Sequence, residues 1–316
     1  KQKTAYEIST RDWSSDVCSS DLAGAVLRRL RQWVMLTLIE RDITGRAELD
    51  EVCHAMTHLA RRATGCALRV AGFELTEQFG AALDSEGEPQ DLLAVAMGKG
   101  GADELNVSSD LDLVFVFRDE GQSAGGASGR SIASGEWMHR AARRTIELLS
   151  EITPDGFVFR VDTRLRPNGD SGPLVASLSM LEQYFYSQGR EWERFAWLKA
   201  HVIADTGQAG EQCSRDDILS LEKIVTPFVF RRYLDYDAFA ALRDLHRLIR
   251  SEVARRAARD ADARDVKLGR GGIREIEFTA QLFQIVRGGR DPGLRDRRTL
   301  ATDRKSTRLN SSHEWI

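Results

Sequence analysis

Along the chain, the spacing of apolar positions changes period. Over residues 25–43 and 47–80 they recur every three or four residues, with arginine and glutamate between them. That spacing predicts two long amphipathic helices. Residues 84–91 are polar, include Gly87 and Pro89, and break the pattern. Three short runs follow, at 92–97, at 111–117 (LDLVFVF) and at 157–165 (FVFRVDTRL), and their composition predicts strands. The stretch 118–135 is rich in Gly and Ser and reads as a flexible loop, while 136–151 reads as a helix between the second and third strands. After Pro173 the pattern is helical almost to the end, interrupted near 206–215 and again at 268–272. The order predicts an α+β chain: a helical segment over 23–90, a core with a small mixed sheet over 91–180, and a helical bundle over 181–300.

The two ends carry an oddity of coding. Residues 12–22 read DWSSDVCSSDL and residues 303–313 read DRKSTRLNSSH. One DNA segment encodes the first on one strand and most of the second on the other, and that DNA resembles a sequencing-library adapter. Residues 1–22 and 302–316 are therefore expected to be non-native and to make few contacts with the folded body. A pair of disordered tails is the plainer alternative.

Composition narrows the class. Hydrophobic residues make up 42% and charged residues 29% of the 316, enough to bury a core in water. A formal net charge of -3 gives no broad nucleic-acid footprint. Basic pairs such as Arg61-Arg62, Arg143-Arg144 and Arg255-Arg256 read as solvated helix faces. No apolar run reaches membrane-spanning length and no secretory signal is visible. Cys53, Cys66 and Cys213 lack metal-type spacing, which suits reduced thiols in the cytoplasm.

Chemistry concentrates in MGKGGADELNVSSDLDLVFVF, residues 97–117. Side chains alternate along a strand, so Asp110 and Asp112 share a face opposite Leu111, Leu113 and Phe115. Neighbouring carboxylates repel, and a bound cation or basic neighbours keep both ionised. Their hard oxygens suit Mg²⁺ or Mn²⁺. The third strand sets Arg160, Asp162, Arg164 and Arg166 on one face. Arginine forks match phosphate oxygens, and Gly98, Gly100 and Gly101 would let backbone N–H groups approach a phosphate. Each feature has a bland counterpart: an isolated Asp-x-Asp is common, GKGG is an ordinary turn, and alternating charge is usually a solvated strand face. In the order glycine turn, Asp-x-Asp strand, helix, Asp strand, they form the nucleotidyltransferase constellation.

Five blocks extend the match: VAMGKGGADELNVSSDLDLVFVF, FRVDTRLRPNGDSGPLV, YFYSQGREWERFAWLKA, TPFVFRRYLDY and KLGRGGIREIEFTAQLFQIVRGGRDP. Together they closely resemble the glutamine synthetase adenylyltransferase/adenylyl-removing enzyme family over most of residues 22–300. That resemblance implies a nucleotidyltransferase fold like that of DNA polymerase beta, in a fragment of a longer protein with two such units. WERFAWLKA and PFVFRRYLDY resemble the adenylyl-removing half, which releases AMP from a tyrosine of glutamine synthetase by phosphorolysis. It implies Asp110, Asp112 and Asp162 as catalytic ligands of Mg²⁺. Gly98, Lys99, Gly100 and Gly101 become the phosphate-side turn, and Ser109, Arg164 and Arg166 nucleotide or phosphate contacts. The implied partners are glutamine synthetase, phosphate, ADP or ATP and, for the full-length enzyme, the PII signal protein, with no nucleic acid or membrane. The turn departs from the usual family pattern at Asp103, where a basic or small residue is frequent.

Other readings stay open. ATP-dependent adenylylation on the same fold, or a catalytically silent regulator-binding module, are the alternatives. On the helix expected from 273, Ile273, Ile276, Ala280 and Phe283 would form the apolar face, with Arg274 and Glu277 either lining the cleft or solvated. His54 and His58 have the i,i+4 spacing of a zinc pair but no third ligand nearby, so ordinary helix histidines are the simpler reading. Glu191, Glu193 and Lys199 lie among Trp192, Phe195 and Trp197, an aromatic stripe that reads as core with a charged edge.

Overall fold

The computed structural model describes residues 20–127, 129–231, 247, 251 and 272–311, with side chains described from 22 to 305. Arg255-Arg256, the start of the last sequence block and the end of TPFVFRRYLDY lie outside them, as do Trp13 and Trp315. The chain divides into two compact units. One takes in the described residues up to Glu182 together with Ala200–Leu221; the other takes in Gln183–Lys199 and the described residues from Glu222 on.

The first unit is a mixed sheet with helices on it. Helices α1 (Ser20–Ile43) and α2 (Leu49–Phe79) lead into β1 (Leu93–Ala96), the one-turn α3 (Gly98–Gly101), β2 (Leu111–Phe117) and α4 (Ser134–Ser150). Then come β3 (Val161–Asp162), β4 (Val175–Ser177) and, after an excursion into the second unit, β5 (His201–Asp205). The path across the sheet is β3-β2-β1-β5, with β4 also on β2. β1 runs antiparallel to β2 and β5, while β3 and β4 run parallel to β2 at its two ends. This is a small mixed sheet in an α+β unit.

Its core is dictated by the patterns already seen. The buried face of α2 presents Met56, Leu59, Ala60, Ala63, Ala67 and Leu68, which pack in one cluster with Leu111, Leu113, Phe115 and Phe117 of β2 and with Trp137, Met138 and Ala141 of α4. Burying this continuous apolar surface is the main drive for the unit. Asp91, fully buried just before β1, accepts from Thr206 Oγ1 (2.8 Å), the Gln208 N–H (2.7 Å) and Ser214 Oγ (2.6 Å). That cluster fixes the exit of β5 against the entry of β1.

The structure corrects several expectations. The third strand is two residues long, not nine. On one side Val158 and Phe159 donate their N–H groups to the Leu149 carbonyl at the end of α4, at 3.0 and 2.9 Å. On the other, the Arg164 N–H turns back to Asp162 Oδ1 at 2.9 Å. The loop 118–135 is pinned rather than loose: Ala124, Gly125 and Ala127 donate to the carbonyls of Ala81, Phe79 and Glu77 at 2.8–2.9 Å. A Cβ on Gly126 would fall 2.6 Å from the Glu77 carbonyl oxygen, so glycine is required there for close approach. Third, β4 and β5 interrupt the region expected to be helical. β4 is three residues long and runs straight into a helix; β5 is half-buried throughout and lacks alternation. Fourth, Thr302 is fully buried, accepts from Gln284 Nε2 (3.0 Å) and donates to the Asp296 carbonyl (3.0 Å). It is therefore not a loose tail residue.

The second unit is helical among the described residues. It holds the end of α5 (Leu178–Ser187), α6 (Glu191–Leu198), the end of α7 (Glu211–Val229), α8 (Ile273–Arg287) and α9 (Thr299–Ser311). The aromatic stripe is core in part: Phe195 and Trp197 are buried, Phe195 stacking on Phe278 with ring centroids 5.1 Å apart, while Trp192 is exposed; beside them Phe185 stacks on Phe228 at 4.0 Å. Glu193 is buried and accepts from Tyr184 Oη (2.7 Å) and the Arg190 N–H (2.8 Å). Buried Lys199 pairs with Glu277 and donates to Thr299 Oγ1 (2.9 Å). On α8 the buried face is Phe278, Ala280, Gln284 and Ile285, with Ile273 and Ile276 exposed, which corrects the expected apolar face.

Candidate active site

The site begins with register. Met97, just past β1, donates its N–H to the Asp112 carbonyl at 2.9 Å, so the chain leaves the sheet at Gly98, beside Asp112. Gly98 has φ of +51°, and a Cβ there would lie 3.4 Å from Asp112 Oδ2. Glycine thus meets both the backbone angle and the crowding. On the other edge of β2 the parallel pairing sets Asp112 level with Asp162, and the Leu111 N–H donates to the Arg160 carbonyl at 2.8 Å. Asp110 stands one residue before β2.

The three carboxylates differ sharply. Asp112 is half-buried, and neither of its oxygens takes a hydrogen bond among the described residues. Loss of solvent, then the charges of Asp162 and Asp110, push its pKa up to about 6, with Arg164 only partly opposing. Asp162 is gripped by Arg164, whose Nε lies 3.0 and 2.9 Å from its two oxygens and whose Nη2 also bonds. That guanidinium holds Asp162 below the usual carboxylate range. Asp110 accepts from Arg160 Nε, and Arg160 Nη2 donates to the Ser108 carbonyl at 3.0 Å. Asp110, Arg160, Asp162, Thr163 and Arg164 line a surface cleft of about 330 Å³.

As they stand, no three Asp, Glu, His or Cys side chains among the described residues form a ready metal cage, because arginines hold two of the carboxylates. The donor set nevertheless fits a hard divalent cation. Asp112 is an acceptor-only group, partly desolvated, beside two like charges and facing no donor, and a cation relieves all of those conditions.

The remaining expected contacts separate into two groups. Gly98 faces the carboxylates, but Gly100 faces the core: a Cβ there would meet Leu111, Leu105 and Ala96 at 3.2–3.4 Å. Gly101 uses its N–H on the Met97 carbonyl (3.2 Å), within the turn itself. Lys99 lies near enough to Cys53 of α2 to act on that thiol's charge. Ser109 Oγ donates to Asn106 Oδ1 at 2.7 Å and ties the loop before β2. Arg166 is largely buried and braces the turn after β3, donating to the carbonyl and hydroxyl of Thr163 at 2.9 and 2.8 Å. With β3 so short, Arg166 leaves the face of Arg160, Asp162 and Arg164. Asp103, at φ +64°, pairs with His54 Nδ1 (2.8 Å) and lies 3.8 Å from Arg61, both on α2. His54 therefore has a carboxylate partner. Glu277 is held by Lys199 within the second unit. Arg160 was visible in the sequence only as one charge on a strand face, although its spacing before Asp162 marks it as a cleft residue.

Carboxylates level with each other on adjacent strands, a glycine turn against one of them and arginines at the rim are the arrangement expected of a nucleotidyltransferase site. The chain belongs to the glutamate-ammonia ligase adenylyltransferase family, whose model matches residues 1–216. The family model for GlnD PII-uridylyltransferase matches residues 243–316. Among curated relatives, the chain is 52% identical over 290 residues to a protein of Burkholderia pseudomallei, covering 92% of this chain and 31% of the relative. It is 49% identical over 276 residues to one of Aromatoleum aromaticum (87% and 28%) and 47% identical over 283 residues to one of Nitrosomonas europaea (89% and 29%). Each relative is named bifunctional glutamine synthetase adenylyltransferase/adenylyl-removing enzyme. The chain spans about 30% of the length of these relatives. No described helix is long and apolar enough to cross a membrane.

Proposed function

We propose that this chain carries the adenylyl-removing activity: phosphorolysis of adenylyl-tyrosine on glutamine synthetase, giving free tyrosine and ADP, in the control of nitrogen assimilation. The observation that carries the reading is Asp112, a half-buried carboxylate without a donor, set level with Asp162 and against Gly98. The relatives' names supply the substrate protein, and the blocks WERFAWLKA and PFVFRRYLDY favour removal over addition.

In the reaction an orthophosphate oxygen attacks the α-phosphorus. The new P–O bond makes ADP, and the bond to the tyrosyl oxygen breaks with its electron pair on that oxygen. Phenol has a pKa near 10, so it leaves readily once its developing charge is countered. Asp110, Asp112 and Asp162 would hold Mg²⁺, which when bound supplies charge neutralisation between two anionic reactants. Arg164, whose Nε and Nη2 hold Asp162 but whose side chain is otherwise exposed, would offer its remaining N–H groups to phosphate oxygens. Gly98 leaves room for the substrate beside Asp112. No strong general base is required; orientation and charge account for most of the rate. In the full-length protein the activity would respond to PII, and the chain would act in the cytoplasm.

Incubation with adenylylated glutamine synthetase, phosphate and Mg²⁺ tests the reading. ADP release supports it. Pyrophosphate release from ATP with unmodified glutamine synthetase, and no ADP from the first mixture, would assign adenylylation instead.

A further inference from the structure

A second cavity, of about 150 Å³, opens in the same unit with Arg31 of α1, Ser108, Ser109, Phe157 and Arg160 in its wall. Arg160 also lines the carboxylate cleft, so the two cavities share one side chain. The guanidinium carbons of Arg31 and Arg160 lie 4.9 and 5.8 Å from the centroid of the same Phe157 ring. Aromatic stacking accommodates each cation singly. It does not remove their mutual repulsion, and burial together with the charge of Arg160 lowers the Arg31 pKa. Arg31 Nε is, moreover, buried with no acceptor among the described residues. An unpaired buried N–H of a cation is costly, so it marks a place where an acceptor is missing. Arg160 is paired with Asp110 on its far side, while Arg31 makes no ion pair among the described residues.

We propose that the cavity between Arg31 and Arg160 is a binding site for a small oxyanion, and that the anion is the orthophosphate consumed in the reaction. The identity of the anion rests on the phosphorolysis reading; the site itself does not. An oxyanion there faces the two arginine side chains that line the cavity, offsets two adjacent positive charges and sits one side chain away from the carboxylates. Arg31 is then a positioning residue for the nucleophile, and Arg160 connects the phosphate site to Asp110.

Calorimetric titration of inorganic phosphate into the full chain with Mg²⁺ tests the site without any turnover. Wild type should bind phosphate, and Arg31→Gln should bind it roughly tenfold or more weakly, the size of one hydrogen bond between charged groups. Mg²⁺ affinity should stay unchanged in that variant. Equal phosphate affinity in wild type and variant, or no phosphate binding by wild type at millimolar concentration, overturns the proposal. Should Arg31→Gln fail to fold, Arg31→Lys decides, since it keeps the charge and the aliphatic stem but loses the fork; an unchanged affinity again overturns it. If phosphate binds through Arg31 while no ADP forms from adenylylated glutamine synthetase, the oxyanion site stands and the phosphorolysis reading fails. Where ADP does form, Arg31→Gln should raise KM for phosphate far more than it lowers kcat, a split that a merely structural arginine would not give.

Discussion

Asp112 illustrates what a single residue costs its own fold. Its carboxyl titrates at about 6 in the folded chain against an ordinary value of 3.8, raised by burial and by Asp162 and Asp110. The folded state therefore holds that proton more tightly than the unfolded state does. By linkage, the stabilising contribution is fully present below about 4 and is lost as pH rises to about 6. Asp112→Asn removes the ionised form, so in chelator at neutral pH it should raise unfolding stability by about 1–2 kcal/mol, allowing for solvent screening of a half-buried group. Urea melts of both proteins across that pH range check this. A wild-type stability that stays level or rises over the window, or a destabilised Asn variant, would show that Asp112 has partners the structure does not reveal. The asymmetry between Asp112 and Asp162 could not be read from DLD and VDT alone. Both are aspartates on strands, and only the turn after Asp162 brings Arg164 back onto it.

At the scale of elements, strong periodicity survived, and of the short strands only β1, expected at 92–97 and found at Leu93–Ala96, did so closely. The α2 pattern and LDLVFVF were legible because each buries a long apolar face, and the structure places them at Leu49–Phe79 and Leu111–Phe117. β3, β4 and β5 were misread because their limits are set by remote partners: the end of α4, the edge of β2 and the edge of β1. Asp91 belongs to the same class, since nothing near it in sequence shows that Thr206, Gln208 and Ser214 will converge on it. Asp91→Ala leaves those donors buried without an acceptor and should cost about 2–4 kcal/mol in chemical denaturation, more than one lost hydrogen bond. In the second unit, Glu277→Ala leaves the ammonium of Lys199 buried without its carboxylate and should cost about 3 kcal/mol. Substituting Met for Lys199 in that background should restore part of the loss. A double variant no more stable than Glu277→Ala would mean that the pair is not what holds α6 to α8.

For the molecule as a whole, the order of motifs revealed more than any separate motif, because Gly98, Asp112 and Asp162 meet only once the sheet order β3-β2-β1 is formed. The glycines of the expected phosphate-side turn are used in different ways, for a physical reason. GKGG allows either backbone exposure or close packing, and here Gly100 packs on the core while Gly98 alone meets a carboxylate. The decisive test of the assembled site is Asp110→Asn combined with Asp112→Asn. The substitution removes two of three adjacent negative charges, so the metal-free fold should hold or gain slightly. It also removes two of the oxygen donors proposed for Mg²⁺, and two anionic reactants must then meet without their charge being countered. Losing a single such contact already raises a barrier by about 2.7–4 kcal/mol, a factor of roughly a hundred or more. ADP release from adenylylated glutamine synthetase should therefore vanish in the double variant. Arg164→Ala, which frees Asp162 and removes one phosphate or nucleotide contact, should only weaken phosphate or nucleotide binding and lower the rate in part. Near-normal ADP release by the double variant would refute the site. Global unfolding, seen by circular dichroism, would make the carboxylates structural, and the reading of a silent regulator-binding module would take their place.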